Sequence, residues 1–166
     1  MGKTSIRMGK QYDFEVFVRE HRRIIGKICY LYAVDSADFD DLYQDVLINL
    51  WQGFGGFEGR SNASSWVYRV GLTTCVSYYR RNRRYAGNVP LADCPGIADE
   101  DPERSERLRE LYALINRLDP LEKALVMLWL DEVPYEEIAS ITGLTRNNVA
   151  SMLHSIKLKQ REQANR

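Results

Sequence analysis

Residues 134–159 read PYEEIASITGLTRNNVASMLHSIKLK, a pattern that describes two short helices crossing at a tight turn. Ala139 is the small residue that lets them approach, and Gly143 falls at the turn. Tyr135, Ile138, Leu144, Val149, Leu153 and Ile156 form one apolar stripe that neither helix could bury alone. The unit is a helix-turn-helix. Thr145 stands where its hydroxyl can cap the second helix, whose outward residues Arg146, Asn147, Asn148, Ser151, His154 and Lys157 are nearly all hydrogen-bond donors or cations. Such a face can read base edges and phosphates in the major groove. A helical hairpin with an ordinary solvated face is the plainer account of the same periodicity, and the run of donors favours DNA over it.

Upstream, Asp119, Pro120 and Glu122 make a helix start, with Asp as cap, Pro at the first position and Glu able to reach back. Leu121, Leu125, Leu128 and Trp129 then cover the helix-turn-helix, and Leu108, Leu111, Tyr112, Ile115 and Leu118 stripe the helix before them. Residues 105–163 thus form a four-helix domain. Between residues 87 and 104 the texture changes. Gly87, Pro90, Pro95, Gly96 and Pro102 break regular structure, and Asp93, Asp99, Glu100, Asp101 and Glu103 make the segment acidic. A structureless stretch of this length is unusual inside a compact domain, so it reads as a linker. It separates the second domain from a first one over residues 8–86. No period-two alternation long enough for a strand occurs, and the predicted fold is all-α: two small helical domains joined by an acidic linker.

In the first domain, Phe14, Phe17, Val18, His21, Ile24, Ile25, Ile28 and Tyr32 recur at spacings of three and four, marking a core-facing helix over Tyr12 to Ala33. His21 lies within that stripe, without a carboxylate or cysteine placed to partner it, and reads as a core or boundary residue. After DSADFDD, where Asp38 or Asp40 can cap, a second helix splits into two faces. Leu42, Val46 and Leu50, flanked by Tyr43 and Leu47, point inward; Asp41, Gln44, Asp45, Ile48 and Gln52 point outward. The outward side is either a solvated face or a docking face for a basic partner helix, which would explain Ile48 among acceptors.

The Gly-rich run GFGGFEGRS follows a helix and lacks the GK[ST] ending of a phosphate loop, so it reads as a turn anchored by Phe54 and Phe57. Ser64 or Ser65 can then cap a long helix. Its residues Trp66, Val67, Val70, Cys75 and Val76 suit burial, while Arg69, Thr73, Thr74 and Ser77 can present polar groups. Its end carries Arg80, Arg81, Arg83 and Arg84 beside Tyr78, Tyr79 and Tyr85. Cations at a helix C-terminus are stabilising in themselves, but this number exceeds what the dipole needs. Interleaved with aromatic rings, they suit a phosphate backbone and stacked, exposed bases.

The chain of 166 residues has a formal net charge of zero, which argues against indiscriminate coating of nucleic acid; local clusters matter more than the total. Cys29, Cys75 and Cys94 are odd in number, far apart and without metal-ligand spacing, and read as reduced thiols of a cytosolic protein, the first two in apolar surroundings. No apolar run approaches the roughly 20 residues that would span a bilayer. No signal-peptide core follows Met1, so no membrane insertion is expected. There is no nucleophile with a base, no metal-ligand cluster and no cofactor motif, so neither an enzyme nor a cofactor is expected.

A basic aromatic helix, an acidic linker and a helix-turn-helix in this order resemble the extracytoplasmic-function group of bacterial sigma-70 family sigma factors. The resemblance runs from about Tyr12 to Arg161. It rests on DDLYQDVLINLW and FEGRSNASSWVYRVGLTTCVSYYRRNRR in the first domain and on LDPLEKALVMLWLDEVPYEEIASITGLTRNNV in the second. NRLDPLEKAL and RNNVASML look most like members from Bacteroidetes.

By this resemblance the first domain is sigma region 2 and the second is sigma region 4. Asp41, Gln44, Asp45, Leu47, Ile48 and Trp51 then match the helix that binds the clamp helices of the largest subunit of core RNA polymerase, and the second domain would meet the polymerase flap. Trp66, Arg69, Thr73, Thr74, Ser77 and Tyr78, with the loop from Phe57 through Arg60 and Ser61, match the segment that captures the opened non-template strand of the −10 element. Arg80, Arg81, Arg83 and Arg84 extend it. Thr145, Arg146, Asn147, Asn148, Ser151, His154 and Lys157 would read the −35 element in duplex form. Members are often restrained by an anti-sigma factor, and nothing in the sequence specifies one. Three departures stand out. Ala150, Met152 and Ser155 occupy positions where relatives usually carry Arg or Lys, which predicts that −35 binding is weaker or the element differently read. Pro134 replaces a capping Ser and leaves Val133 as a poor cap. Thr73 replaces an amide. The competing reading is a free-standing helix-turn-helix regulator that never joins polymerase, which would bind duplex DNA tightly on its own.

Overall fold

The structure, a computed structural model, describes residues 2–57, 62–81 and 102–166. These form seven helices and no strand: α1 (Gly2–Tyr32), α2 (Ser36–Phe54), α3 (Ala63–Arg81), α4 (Pro102–Ile115), α5 (Pro120–Leu130), α6 (Tyr135–Thr142) and α7 (Arg146–Ala164). The first three pack on one another, and α5 packs on α6 and α7, the two helices of the helix-turn-helix. Pro102 opens α4, so helix begins two residues before the end of the expected linker at residue 104.

Each apolar stripe read from the sequence is buried or half-buried. Ile25, Ile28, Leu42, Val46, Leu50 and Val67 are fully enclosed in the first domain, and Leu125, Leu128, Ile138 and Val149 in the second. Cys29 and Cys75 meet within the first core, and the Cys75 thiol is pushed well up by its hydrogen bond to Cys29 and then by burial. Such a thiol is an inert part of the packing. His21 sits half-buried against Phe17, its Nδ1 2.8 Å from the Phe17 carbonyl oxygen, as a boundary residue should. Trp129, placed by periodicity against the helix-turn-helix, meets it at the surface: the indole is 38% exposed, with Lys157 Nζ of α7 4.2 Å from its ring centroid.

The helix starts show how local chemistry sets the boundaries. Thr145 caps α7 by accepting from the Asn148 N–H at 3.1 Å, and Asp119 caps α5 by accepting from the Glu122 N–H at 2.9 Å, both as expected. At α2 the cap is Asp35, in place of Asp38 or Asp40. Its extended backbone leaves the carboxylate free to accept from the Asp38 N–H at 2.7 Å, while Asp38 accepts from the Val34 N–H at 3.0 Å. At α3 the expected Ser64 or Ser65 is replaced by Asn62, whose side chain accepts from the Ser64 N–H at 2.9 Å. Pro134 is itself the cap position of α6 and offers no side-chain hydrogen bond. Gly143, at φ 77°, reverses the chain after α6 in the left-handed region, which favours glycine.

Close packing of α1 on α3 is permitted by Gly71, where an added Cβ would stand 2.8 Å from Ile28 Cδ1. By contrast, nothing lies within 4 Å of a Cβ at Gly26 on α1. Gly71→Leu is therefore expected to lower stability by about 1–3 kcal/mol through overpacking, and Gly26→Ala to raise it by about 0.5–1 kcal/mol through helix propensity. Urea unfolding followed by circular dichroism measures both.

Candidate functional site

Three exposed surfaces carry the candidate residues. On α2 the stripe Leu42, Val46 and Leu50 is fully buried, which turns Asp41, Gln44 and Ile48 to solvent with Asp45 and Leu47 half-buried beside them. Ile48 and Trp51 are 53% and 47% exposed. The Trp51 ring is fixed edge-on against Phe14 at 5.0 Å. An exposed aliphatic and an anchored exposed indole thus stand among acceptors on this face.

On α3, Arg69, Thr73, Ser77, Arg80 and Arg81 are exposed. With Asp45, Ile48 and Asn49 of α2, four of them (Arg69, Thr73, Ser77 and Arg81) line an open groove of about 510 Å³. The groove brings together residues that the sequence assigned to two separate surfaces. Thr74 also lines it but is engaged internally: its hydroxyl donates to the Val70 carbonyl at 2.7 Å and accepts from Asn49 Nδ2 at 2.8 Å. The Tyr78 hydroxyl donates to Asp38, and that hydrogen bond, followed by burial, pushes its pKa up to about 12. Tyr78 therefore remains a neutral phenol tied to the start of α2.

Trp66 is half-buried, its ring stacked on Phe57 with centroids 4.7 Å apart and packed on Phe17 at 5.7 Å. A Cβ at Gly53 would stand 3.0 Å from Trp66 Cζ2, so the glycine makes room for the indole. Arg60 and Ser61 lie outside the described residues, as do Arg83, Arg84, Tyr85 and Cys94.

On α7, Arg146, Asn147, Asn148, Ser151, His154 and Lys157 all face solvent, and so does the capping Thr145. Arg146 Nε pairs with Glu136 Oε1 at 3.0 Å, an exposed ion pair of small energy that orients the guanidinium. Val149, Leu153 and Ile156 anchor the opposite side.

The sequence reading missed polar residues that join the two domains. Asp131, which closes α5, accepts from Lys27 Nζ at 2.5 Å and from the Tyr68 hydroxyl at 2.6 Å. Ser65 donates to Glu137, and Arg69 reaches the Ser140 carbonyl at 3.3 Å and its hydroxyl at 3.1 Å. Lys123 is 4% exposed, donates to the Leu31 carbonyl at 3.3 Å and lies over the rings of Tyr32 and Tyr79; burial lowers its pKa. None of this was visible as periodicity, since Lys123 lies on the side of α5 opposite the Leu121, Leu125 and Leu128 stripe. Among the described residues, no group of three or more His, Cys, Asp or Glu could hold a metal, and no helix is long and apolar enough to cross a membrane.

The α2 surface separates a docking role from fold stability. Ile48→Ala should leave stability within about 0.5 kcal/mol, whereas Leu50→Ala, two residues on and fully buried, should lose about 2–5 kcal/mol. Thermal unfolding distinguishes them.

Comparison with known proteins assigns the chain to a family. The family model described as Sigma-70 region 2 matches residues 17–85, and that described as Sigma-70, region 4 matches residues 108–159. The chain is 28% identical over 145 residues to the ECF RNA polymerase sigma factor SigM of Mycobacterium tuberculosis, covering 86% of this chain and 72% of that protein. It is 27% identical over 165 residues to the ECF RNA polymerase sigma-E factor of Escherichia coli, covering 89% and 84%. The solved sigma factor RpoE of Bartonella quintana, in complex with the anti-sigma factor NepR, shares the fold with a TM-score of 0.71 at 19% identity, over 92% of this chain and 97% of that one. CnrH, solved in complex with the cytosolic domain of CnrY, does so with a TM-score of 0.67 at 17% identity, over 93% and 89%. With both family regions present in order on two helical domains, the chain belongs to the extracytoplasmic-function group of the sigma-70 family.

Proposed function

We propose that this sigma factor is the promoter-specificity subunit of a bacterial RNA polymerase, acting in the cytoplasm and performing no catalysis of its own. The observation that carries the residue-level reading is the shared groove: the exposed α2 face and the polar face of α3 open onto one space. Asp41, Gln44, Asp45, Leu47, Ile48 and Trp51 dock the polymerase clamp helices. Acceptors meet basic partner groups there, while Ile48 and Trp51 supply the apolar anchor.

Arg69, Thr73, Ser77, Arg80 and Arg81 then receive the non-template strand beside the docked polymerase. Their cations hold phosphates, and the hydroxyls offer hydrogen bonds to an extruded base. Unstacking costs a few kcal/mol, which those bonds and aromatic stacking must offset. Thr74 and Tyr78 support this face by holding α3 to α2. The exposed side of α7 reads the −35 duplex. It carries Arg146, His154 and Lys157, with Ala150, Met152 and Ser155 between them, so its phosphate contacts are few. Stable promoter binding therefore depends on polymerase holding both domains on one DNA.

In transcription with bacterial core polymerase on a pool of duplex fragments, starts should appear only when this protein is added, and they should share −35 and −10 elements. The absence of new starts with the native host's polymerase overturns the reading. Gln44→Lys with Asp45→Lys should abolish co-purification with core polymerase while leaving the circular dichroism spectrum unchanged. Arg80→Ala with Arg81→Ala should instead reduce promoter opening, read by permanganate footprinting, more than it reduces polymerase binding.

A further inference from the structure

The groove between α2 and α3 has two walls of opposite character. On α3, Arg69, Thr73, Ser77 and Arg81 stand four residues apart, so they fall on one line with a cation at each end and hydroxyls between. The arginines suit phosphates. On α2, Asp45 and Ile48 bring a carboxylate and an aliphatic side chain, and Asn49 lies beside them. A carboxylate repels phosphate but accepts from a base. A strand lying in the groove therefore turns its backbone to the arginines and a base toward α2.

Asn49 is the residue of the α2 wall whose orientation is fixed by chemistry. Its Nδ2 stands 2.8 Å from Thr74 Oγ1, and the Thr74 hydroxyl stands 2.7 Å from the Val70 carbonyl oxygen. A hydroxyl has a single proton and a carbonyl oxygen only accepts, so that proton goes to Val70 and Thr74 is left to accept from Asn49. The Asn49 amide must present an N–H to Thr74. Turned over, it would set Oδ1 against an oxygen with no proton to give. The sense of this side chain is thus dictated by a main-chain carbonyl of α3, through Thr74. Asn49 is exposed at the groove, and no partner takes up its Oδ1 among the described residues.

We infer that Asn49 reads a base of the opened strand, its Oδ1 accepting from the exocyclic amino group of adenine or cytosine, and that Thr74 is the positioning residue that fixes the sense of the reading. This rests on the assignment of the α3 face to that strand, and it adds a base-specific contact from the helix assigned to polymerase. Guanine and thymine carry a carbonyl oxygen at the equivalent ring position, which meets Oδ1 and the Asp45 carboxylate with no proton between them. They are disfavoured because acceptors face acceptors, not because of their size.

The test uses holoenzyme assembled from core polymerase and the full chain, on a duplex promoter drawn from the transcript starts that this protein directs. Each non-template position of its −10 element is varied through the four bases. Wild type should favour adenine or cytosine over thymine or guanine at one position by about threefold to tenfold, the range of a single neutral hydrogen bond. Asn49→Ala should level that position alone, with the other positions and the affinity for core polymerase unchanged. Thr74→Val should do what a mere loss of packing cannot. The released amide can turn either end to the base, so the thymine and guanine promoters gain activity while the adenine and cytosine promoters keep theirs. A uniform loss on all promoters with Thr74→Val overturns the positioning role. Weaker core binding by Asn49→Ala places Asn49 on the docking face and overturns the reading. Unaltered base preference in Asn49→Ala overturns it as well, and Thr73→Ala with Ser77→Ala then locates the failure. If that variant alters promoter opening, α3 does hold the strand and only the role of Asn49 is wrong. If it opens promoters normally, the α3 assignment has failed and the reading by Asn49 with it.

Discussion

The packing of α1 against α3 is the constraint on which the first domain depends. Ile28 occupies the space that a side chain at Gly71 would need, and Cys29, Leu72 and Cys75 complete the contact. Because a helix turns 100° per residue, fixing Gly71, Leu72 and Cys75 inward also fixes Arg69, Thr73 and Ser77 outward. No separate device is needed to present them. The same holds on α2, where burial of Leu42, Val46 and Leu50 turns Asp41, Gln44 and Ile48 to the surface. The two exposed faces meet in one groove because both helices lie on α1 and on each other.

Polar residues near that groove divide into two kinds, and composition does not distinguish them. Thr73 and Ser77 are exposed hydroxyls, whereas the hydroxyl of Thr74 is satisfied by Val70 and Asn49 and that of Tyr78 by Asp38. A hydroxyl already paired in the protein must break that bond before it can offer one to a base, so its contribution to recognition is the difference between two similar energies. Thr74 and Tyr78 are better understood as the fastenings that hold α3 and α2 in register beneath the exposed pair.

Periodicity made most of the architecture legible. The stripes on α1, α2, α4, α5 and α7 are where the spacing of apolar residues put them, and the caps Thr145 and Asp119 follow from side-chain chemistry within three residues. The misses share a cause. Asp35 was passed over for Asp38 and Asp40, and Asn62 for the serines after it, because several capping residues stand in a row and only the backbone decides which is extended. Trp129 meets the helix-turn-helix as its spacing expects, though at the surface, where Lys157 covers its ring. The contacts of Lys27, Tyr68 and Asp131 link residues far apart in sequence, and no local pattern encodes such a meeting. At the site, resemblance supplied roles for the faces, while the internal engagement of Thr74 and the restraint on Arg69 became visible only in three dimensions.

Lys123 shows what makes the contact between domains specific. A buried ammonium loses its hydration, and that loss lowers its pKa here. Its compensation comes from both domains: Asn116 Oδ1 in its own at 3.4 Å and, in the other, the Leu31 carbonyl, at the electronegative end of α1, and the faces of Tyr32 and Tyr79. The Tyr32 hydroxyl in turn donates to the Pro120 carbonyl at 2.6 Å, and Tyr30 packs edge-on against Tyr112 at 4.6 Å. An interface of aliphatic side chains alone would gain by closing in almost any register. This one adds polar pairs to an apolar core that both domains share, and those pairs are satisfied in one register, so a displacement forfeits several of them together while water stands ready to replace them. The packing of the two domains is therefore geometrically exacting.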